Sequence, residues 1–125
     1  MWSNLNRMDF KGGRPEDNIA NEIAENLPLL LQEIKICRPD IIIFLTGPCY
    51  NYDDLIGYNF DKYKSQIVSN EFKERELVRL ELPHTNAKAY RTYHPGAYRA
   101  NHPSTLCRPE RQDKIIKTIV ADFKK

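Results

Sequence analysis

The chain has no long apolar run: its longest uninterrupted aliphatic and aromatic stretch, Ile41 to Leu45, falls far short of the roughly 20 residues a membrane-spanning helix needs. No membrane partner is therefore expected. Nor does the opening Met1-Trp2-Ser3-Asn4-Leu5-Asn6-Arg7 hold the apolar core of a secretory signal. Cysteine is scarce: Cys37, Cys49 and Cys107 are odd in number, widely spaced and form no CxxC pair. That pattern argues against a disulfide framework and against a zinc or cluster site, and it suits reduced thiols in a cytoplasmic protein. No metal and no cofactor is expected. Repeats and low-complexity linkers are also absent, so 125 residues read as a single domain, 1–125.

What is present is the composition of a globular chain, 41% hydrophobic and 29% charged. The net charge of +2 conceals an asymmetry. Residues 1–58 carry five basic and nine acidic side chains, a balance of −4, whereas residues 59–125 carry fourteen and eight, a balance of +6. A basic second half permits a polyanionic partner.

Apolar positions Ile19, Ile23, Leu27, Leu30, Leu31 and Ile34 recur at three and four residues, which predicts a helix from Asp17. Pro28 removes a ladder donor, so a kink or break is expected between Ala24 and Leu27. After Cys37-Arg38-Pro39-Asp40, the run Ile41 to Leu45 reads as a strand covered on both faces, of the kind found in parallel sheets. A short helix is expected within Asp53 to Lys64, while Tyr63 to Arg75 is polar and carries no period. Leu77 to Leu82 and Lys88 to Tyr93 alternate as strands, the second with Ala89, Arg91 and Tyr93 on one face. Pro109 to Phe123 closes the chain as an amphipathic helix whose expected buried stripe is Ile115, Ile116, Ile119, Val120 and Phe123.

A helix followed by a buried strand and a Gly-containing turn is an α/β signature, and in such sheets ligands bind beyond the carboxyl ends of strands. This makes Thr46 to Asp54 one rim of a site and His94-Pro95-Gly96, which follows a strand directly, another. Lys88 to Arg108 contains Lys88, Arg91, Arg99 and Arg108 with no carboxylate, interleaved with Tyr90, Tyr93, Tyr98, His94 and His102. Cations that contact phosphates beside rings that stack on bases suit a nucleic-acid surface. A solvated strand and loop with tyrosines reaching out of the core would have the same composition.

Taken in order, Ser3-Asn4-Leu5-Asn6-Arg7, Leu27 to Ile34, Arg38 to Gly47, and Thr92-Tyr93-His94-Pro95-Gly96 followed by Arg99 resemble motifs of the uracil-DNA glycosylase superfamily, especially its smaller bacterial and archaeal-type branches. The resemblance implies a three-layer α/β/α fold with a central, mostly parallel sheet. It also implies excision of uracil from DNA by hydrolysis of the base-sugar bond. On that basis His94 donates a hydrogen bond to the uracil carbonyl as charge builds on the leaving base. Asn4 reads the flipped base's pairing edge, and Gly47, Pro95 and Gly96 shape the substrate pocket. Tyr98 fills the vacated stack, Arg99 contacts phosphate, and Lys88 and Arg91 add to the DNA-binding surface.

The family's first strand and first motif, which positions the attacking water, lie upstream of the asparagine segment and have no counterpart here. Asp9, Asp53 and Asp54 are the carboxylates nearest the expected rim, and none is assigned to the water. The chain is therefore expected to be a weak glycosylase or none, and to form a homo-oligomer or associate through an unpaired sheet edge. Two other readings use the same residues. One is a non-catalytic DNA-binding module built on Lys88 to Arg108. The other is a small-molecule α/β domain in which Thr46-Gly47-Pro48 is a phosphate-proximal turn.

Overall fold

The computed structural model describes residues 1, 3, 12, 16–26, 29–47, 56, 60, 63–94 and 108–125. The helical periodicity that begins at Asp17 is realised as two helices, α1 (Asp17–Asn26) and α2 (Leu29–Cys37). α1 ends at Asn26, inside the stretch between Ala24 and Leu27 where the proline was expected to break or kink the helix. Residues 27 and 28 lie outside the described residues.

Arg38 ends α2 in the left-handed conformation (φ 46°), its amide donating to Ile34 O at 2.8 Å. That is the geometry of a helix C-terminal cap, where glycine carries no steric penalty. Arg38→Gly is expected to stabilise the protein by about 0.5–1 kcal/mol, raising the melting temperature by a few degrees. Thermal unfolding followed by circular dichroism measures it, and a fall in melting temperature would contradict it.

Four strands follow, β1 (Ile41–Phe44), β2 (Lys64–Ile67), β3 (Leu77–Glu81) and β4 (Lys88–Thr92), in the sheet order β1-β4-β3-β2. β1 and β4 are parallel, with Ile41 opposite Lys88 and Phe44 opposite Arg91. The pairs β3/β4 and β2/β3 are antiparallel. The expected mostly parallel sheet is thus corrected to a mixed one, in which one of three described pairings is parallel. The connections explain this. Only residues 82–87 separate β3 from β4, and a parallel crossover needs a dozen residues or more. Within that link Pro83 precedes His84, whose φ of 66° completes a tight turn.

Side-chain alternation along the strands divides the core between the two faces of the sheet. On one face Phe44, Val78, Leu80 and Ala89 pack with Leu30 and Ile34 of α2 and with Ile56 and Phe60. The Phe44 and Phe60 rings meet edge to face at 6.3 Å. On the other face Leu77 and Tyr90 pack with Phe72 and with Ile115 and Ile119 of the closing helix, α3 (Pro109–Phe123). Each fully buried aliphatic or aromatic side chain contributes about 1.5–3 kcal/mol, so the two clusters hold the sheet and helices together. The described part of the protein is accordingly α/β, a mixed four-stranded sheet with helices.

Two expectations about burial are overturned. α3 buries Ile115, Ile119 and Asp122, leaving Ile116, Val120 and Phe123 at 59%, 44% and 38% exposure. The cause is Asp122. The Tyr90 hydroxyl donates to its carboxylate at 2.8 Å and Arg79 lies 3.5 Å away, which turns α3 so that an acidic residue points inward. Burial, the hydrogen bond to Asp122 and that carboxylate's charge together push the Tyr90 phenol up to about 12, with Arg79 opposing, so it stays a donor. β1 is likewise not covered on both faces, because Ile43 is 45% exposed. β2 gave no sequence signal because all four of its residues are exposed, as befits a polar strand at the end of a sheet.

Candidate functional site

β1 and β4 run parallel, so their carboxyl ends emerge side by side. The chain leaves β1 through Thr46 and Gly47, and the Gly47 amide donates to Thr92 O, the last residue of β4, at 2.9 Å. Gly47 is buried and has a φ of 60°, a conformation that disfavours any residue with a Cβ. The bond fixes the turn after β1 against the start of the segment that carries His94. Two residues singled out from sequence, Gly47 and His94, are therefore brought to the same rim, with the His94 side chain exposed.

The β4 end is held from its other side as well. Thr92 Oγ1 donates to Glu76 O at 2.8 Å, just before β3. The Glu76 side chain, only 2% exposed, is gripped in turn by α3: Arg111 donates through Nε at 2.8 Å and through Nη2 at 3.1 Å. The Lys73 amide adds a third bond at 2.9 Å, and the Arg111 guanidinium stacks 4.4 Å from the Phe72 ring centroid. Burial alone would raise the Glu76 pKa. The hydrogen bonds and charge of Arg111, with the Lys73 amide and charge, outweigh it and hold the carboxylate below its ordinary value. The same carboxylate raises the Arg111 pKa, so both partners are ionised. Glu76 and Arg111 were not among the residues singled out from sequence, where each looked like a surface charge. The weak available signal was Glu76 directly before the strand run and Arg111 in the first turn of a helix.

The remaining sequence-derived residues are distributed differently. Arg91 is 5% exposed, opposite Phe44 on β1 and Val78 on β3. It lies beneath the rim, buried in the sheet. Lys88 stands at the other end of β4, about 20 Å from His94 along an extended strand. Its ammonium donates to Asp122 O and Phe123 O at 3.1 and 3.0 Å and lies 5.6 Å from the Phe123 ring centroid, so it caps the carboxyl end of α3. Lys88 thus has a structural role at the end of α3. Asn4, Pro95, Gly96, Tyr98 and Arg99 lie outside the described residues, as do His102, Asp9, Asp53 and Asp54.

Within the described rim, 44–47 and 91–94, there is no carboxylate, and the Tyr93 hydroxyl is buried with no hydrogen-bond partner among the described residues. A cleft of about 780 Å³ opens at the opposite, amino ends of β1 and β4, lined by Lys35, Arg38, Asp40, His84 and Lys88. It is separate from the rim that carries His94. Among the described residues no group of three His, Cys, Asp or Glu could hold a metal ion, and no helix is long and apolar enough to cross a membrane. No family model matches this chain, and no curated protein or solved structure matches it either.

Proposed function

We propose that this chain is a uracil-DNA glycosylase-like protein of three-layer α/β/α architecture that receives a flipped base of DNA at the carboxyl ends of β1 and β4. The observation that supports this reading most is the hydrogen bond from the Gly47 amide to Thr92 O, which sets the turn after β1 beside His94. A pocket bounded by a close-approaching backbone on one side and an imidazole donor on the other can hold a planar base and stabilise charge on its carbonyl oxygen as the base-sugar bond breaks. His94 is the donor. Arg91, buried below the same rim, adds fixed positive charge beneath the site.

Hydrolysis also needs a positioned water. The described rim offers no carboxylate for it, so base recognition exceeds turnover. A second reading, a DNA-binding module without catalysis, draws on that same carboxylate-free rim. The two part company in one experiment: residues 1–125 are titrated with labelled single- and double-stranded DNA containing one uracil at two salt concentrations, and release of free uracil is followed. The expected result is binding that weakens as salt rises, because neutralised phosphates release counterions, together with slow uracil release. Salt-sensitive binding with no release favours the second reading. Absence of binding at low salt removes DNA as the partner and leaves the small-molecule α/β domain.

A further inference from the structure

The cleft at the amino ends of β1 and β4 forms where three parts of the chain converge. The Lys88 amide donates to Asp40 O at 3.0 Å, which ties the exit from α2, Arg38-Pro39-Asp40, to the start of β4. The link before β4 supplies the facing wall, His84-Thr85-Asn86, in a turn closed by the Ala87 amide donating to Thr85 Oγ1 at 3.2 Å. Phe123, whose carbonyl accepts from Lys88 Nζ, borders the cleft from the end of α3. The charged side chains lining it are three cations, Lys35, Arg38 and Lys88, against one carboxylate, Asp40.

Two features separate this cleft from an ordinary solvated basic surface. Lys88, Arg79, Arg111, Lys114 and Lys117 each have an acceptor within the fold. Lys35 and Arg38, three positions apart at the end of α2, make no side-chain hydrogen bond or ion pair among the described residues. The second feature is in the backbone. Among the described residues two that are not glycine adopt a left-handed conformation, Arg38 (φ 46°) and His84 (φ 66°), and both line this cleft. Such conformations are uncommon outside glycine, and strain of this kind clusters where side chains are held ready for a ligand.

We propose that this cleft binds the phosphate monoester of a small hydroxylated molecule, such as a mononucleotide. Lys35 and Arg38 match the charge of the dianion, and the planar guanidinium offers two parallel N–H donors to its oxygens. Thr85 Oγ1 accepts from Ala87 and keeps its own proton to donate, and the Asn86 side chain brings amide donors. Asp40 accepts hydrogen bonds from hydroxyl groups and repels further phosphates, which fits one phosphate on a hydroxylated body better than a phosphodiester chain. The volume of about 780 Å³ lies within the roughly 300–1,000 Å³ typical of small-molecule sites, and the exposed Phe123 ring gives it an apolar surface. None of these residues belongs to the rim that carries His94, so this site stands or falls independently of base excision.

The test is a titration of the isotope-labelled full chain with AMP, followed by NMR of the backbone amides, with adenosine as the phosphate-free control. AMP is expected to give saturable shifts at Arg38 and from His84 to Lys88, and adenosine should bind at least about tenfold more weakly. Lys35→Ala and Arg38→Gly should each weaken AMP by about tenfold, the effect of losing a hydrogen bond to a charged group. Because glycine relieves the left-handed backbone at position 38, Arg38→Gly should bind less while melting higher, a combination that partial unfolding does not produce. Absence of saturable shifts in the cleft, equal affinity for AMP and adenosine, or unchanged AMP affinity in both variants overturns the proposal. So does a DNA oligonucleotide that displaces AMP from the cleft and itself loses affinity in Arg38→Gly, which would assign the cleft to nucleic acid.

Discussion

At pH 7, Glu76→Gln is expected to destabilise the protein by about 3 kcal/mol, the low end for removing one partner of a buried ion pair. The low end applies because a quarter of the Arg111 side chain is in solvent and Arg111 keeps other partners, the Glu71 carbonyl at 2.9 Å and its carboxylate at 3.6 Å. The substitution preserves shape and leaves the guanidinium facing a neutral amide. For a chain of this size the loss should lower the melting temperature by roughly 10 °C.

The effect also has a required pH dependence. The folded-state pKa of Glu76 lies below the ordinary value of 4.5, so the carboxylate contributes stability that is fully present above that value. That contribution is lost as pH falls through the folded pKa, because below it Glu76 is protonated in both states. The stability difference between wild type and Glu76→Gln should therefore be constant from about pH 6 upward and shrink in acid. Urea unfolding at pH 7 and at pH 3 measures it. A difference that persists undiminished at pH 3 would show that Glu76 acts by packing rather than by charge.

Glu76 also illustrates where reading from sequence succeeds and where it stops. Elements built on apolar period were legible: Val78, Leu80 and Leu82 alternate in sequence and are buried together, and Leu30 and Ile34 mark the buried side of α2. What stayed hidden was decided by polar partners far away along the chain. The orientation of α3 is set by a hydrogen bond between residues 32 positions apart, Tyr90 to Asp122, which turns Ile116 and Phe123 outward against their hydrophobicity. The sense of the sheet depended on the short link after β3, not on the apolar character of β1. In the candidate site, glycine at position 47 and histidine directly after a strand could be read from residue type. That a backbone bond joins the Gly47 turn to Thr92 required the parallel register of β1 with β4. The partners of Lys88 and the burial of Arg91 were not legible, because composition does not distinguish a lysine that caps a helix, or an arginine under a rim, from one that meets phosphate.

Replacing His94 by alanine is expected to reduce single-turnover uracil release by on the order of 100-fold, the effect of losing one donor to an oxyanion-type transition state. The protein itself should be little affected, within about 0.5 kcal/mol, because the side chain is exposed and the end of β4 is held by backbone and Thr92 bonds that the substitution leaves in place. Stability and chemistry should thus separate. Affinity for uracil-containing DNA should fall much less than the release rate, since a donor that strengthens as charge develops acts mainly on the transition state. His102→Ala, made in parallel, should have a much smaller effect on release, because the Gly47–Thr92 bond sets the turn after β1 beside His94. Measuring release and binding for both variants decides between the two histidines. A larger loss of release from His102→Ala than from His94→Ala would assign the donor to the later histidine. Equal, small losses from both would mean that neither histidine supplies the donor and would overturn the assignment to His94.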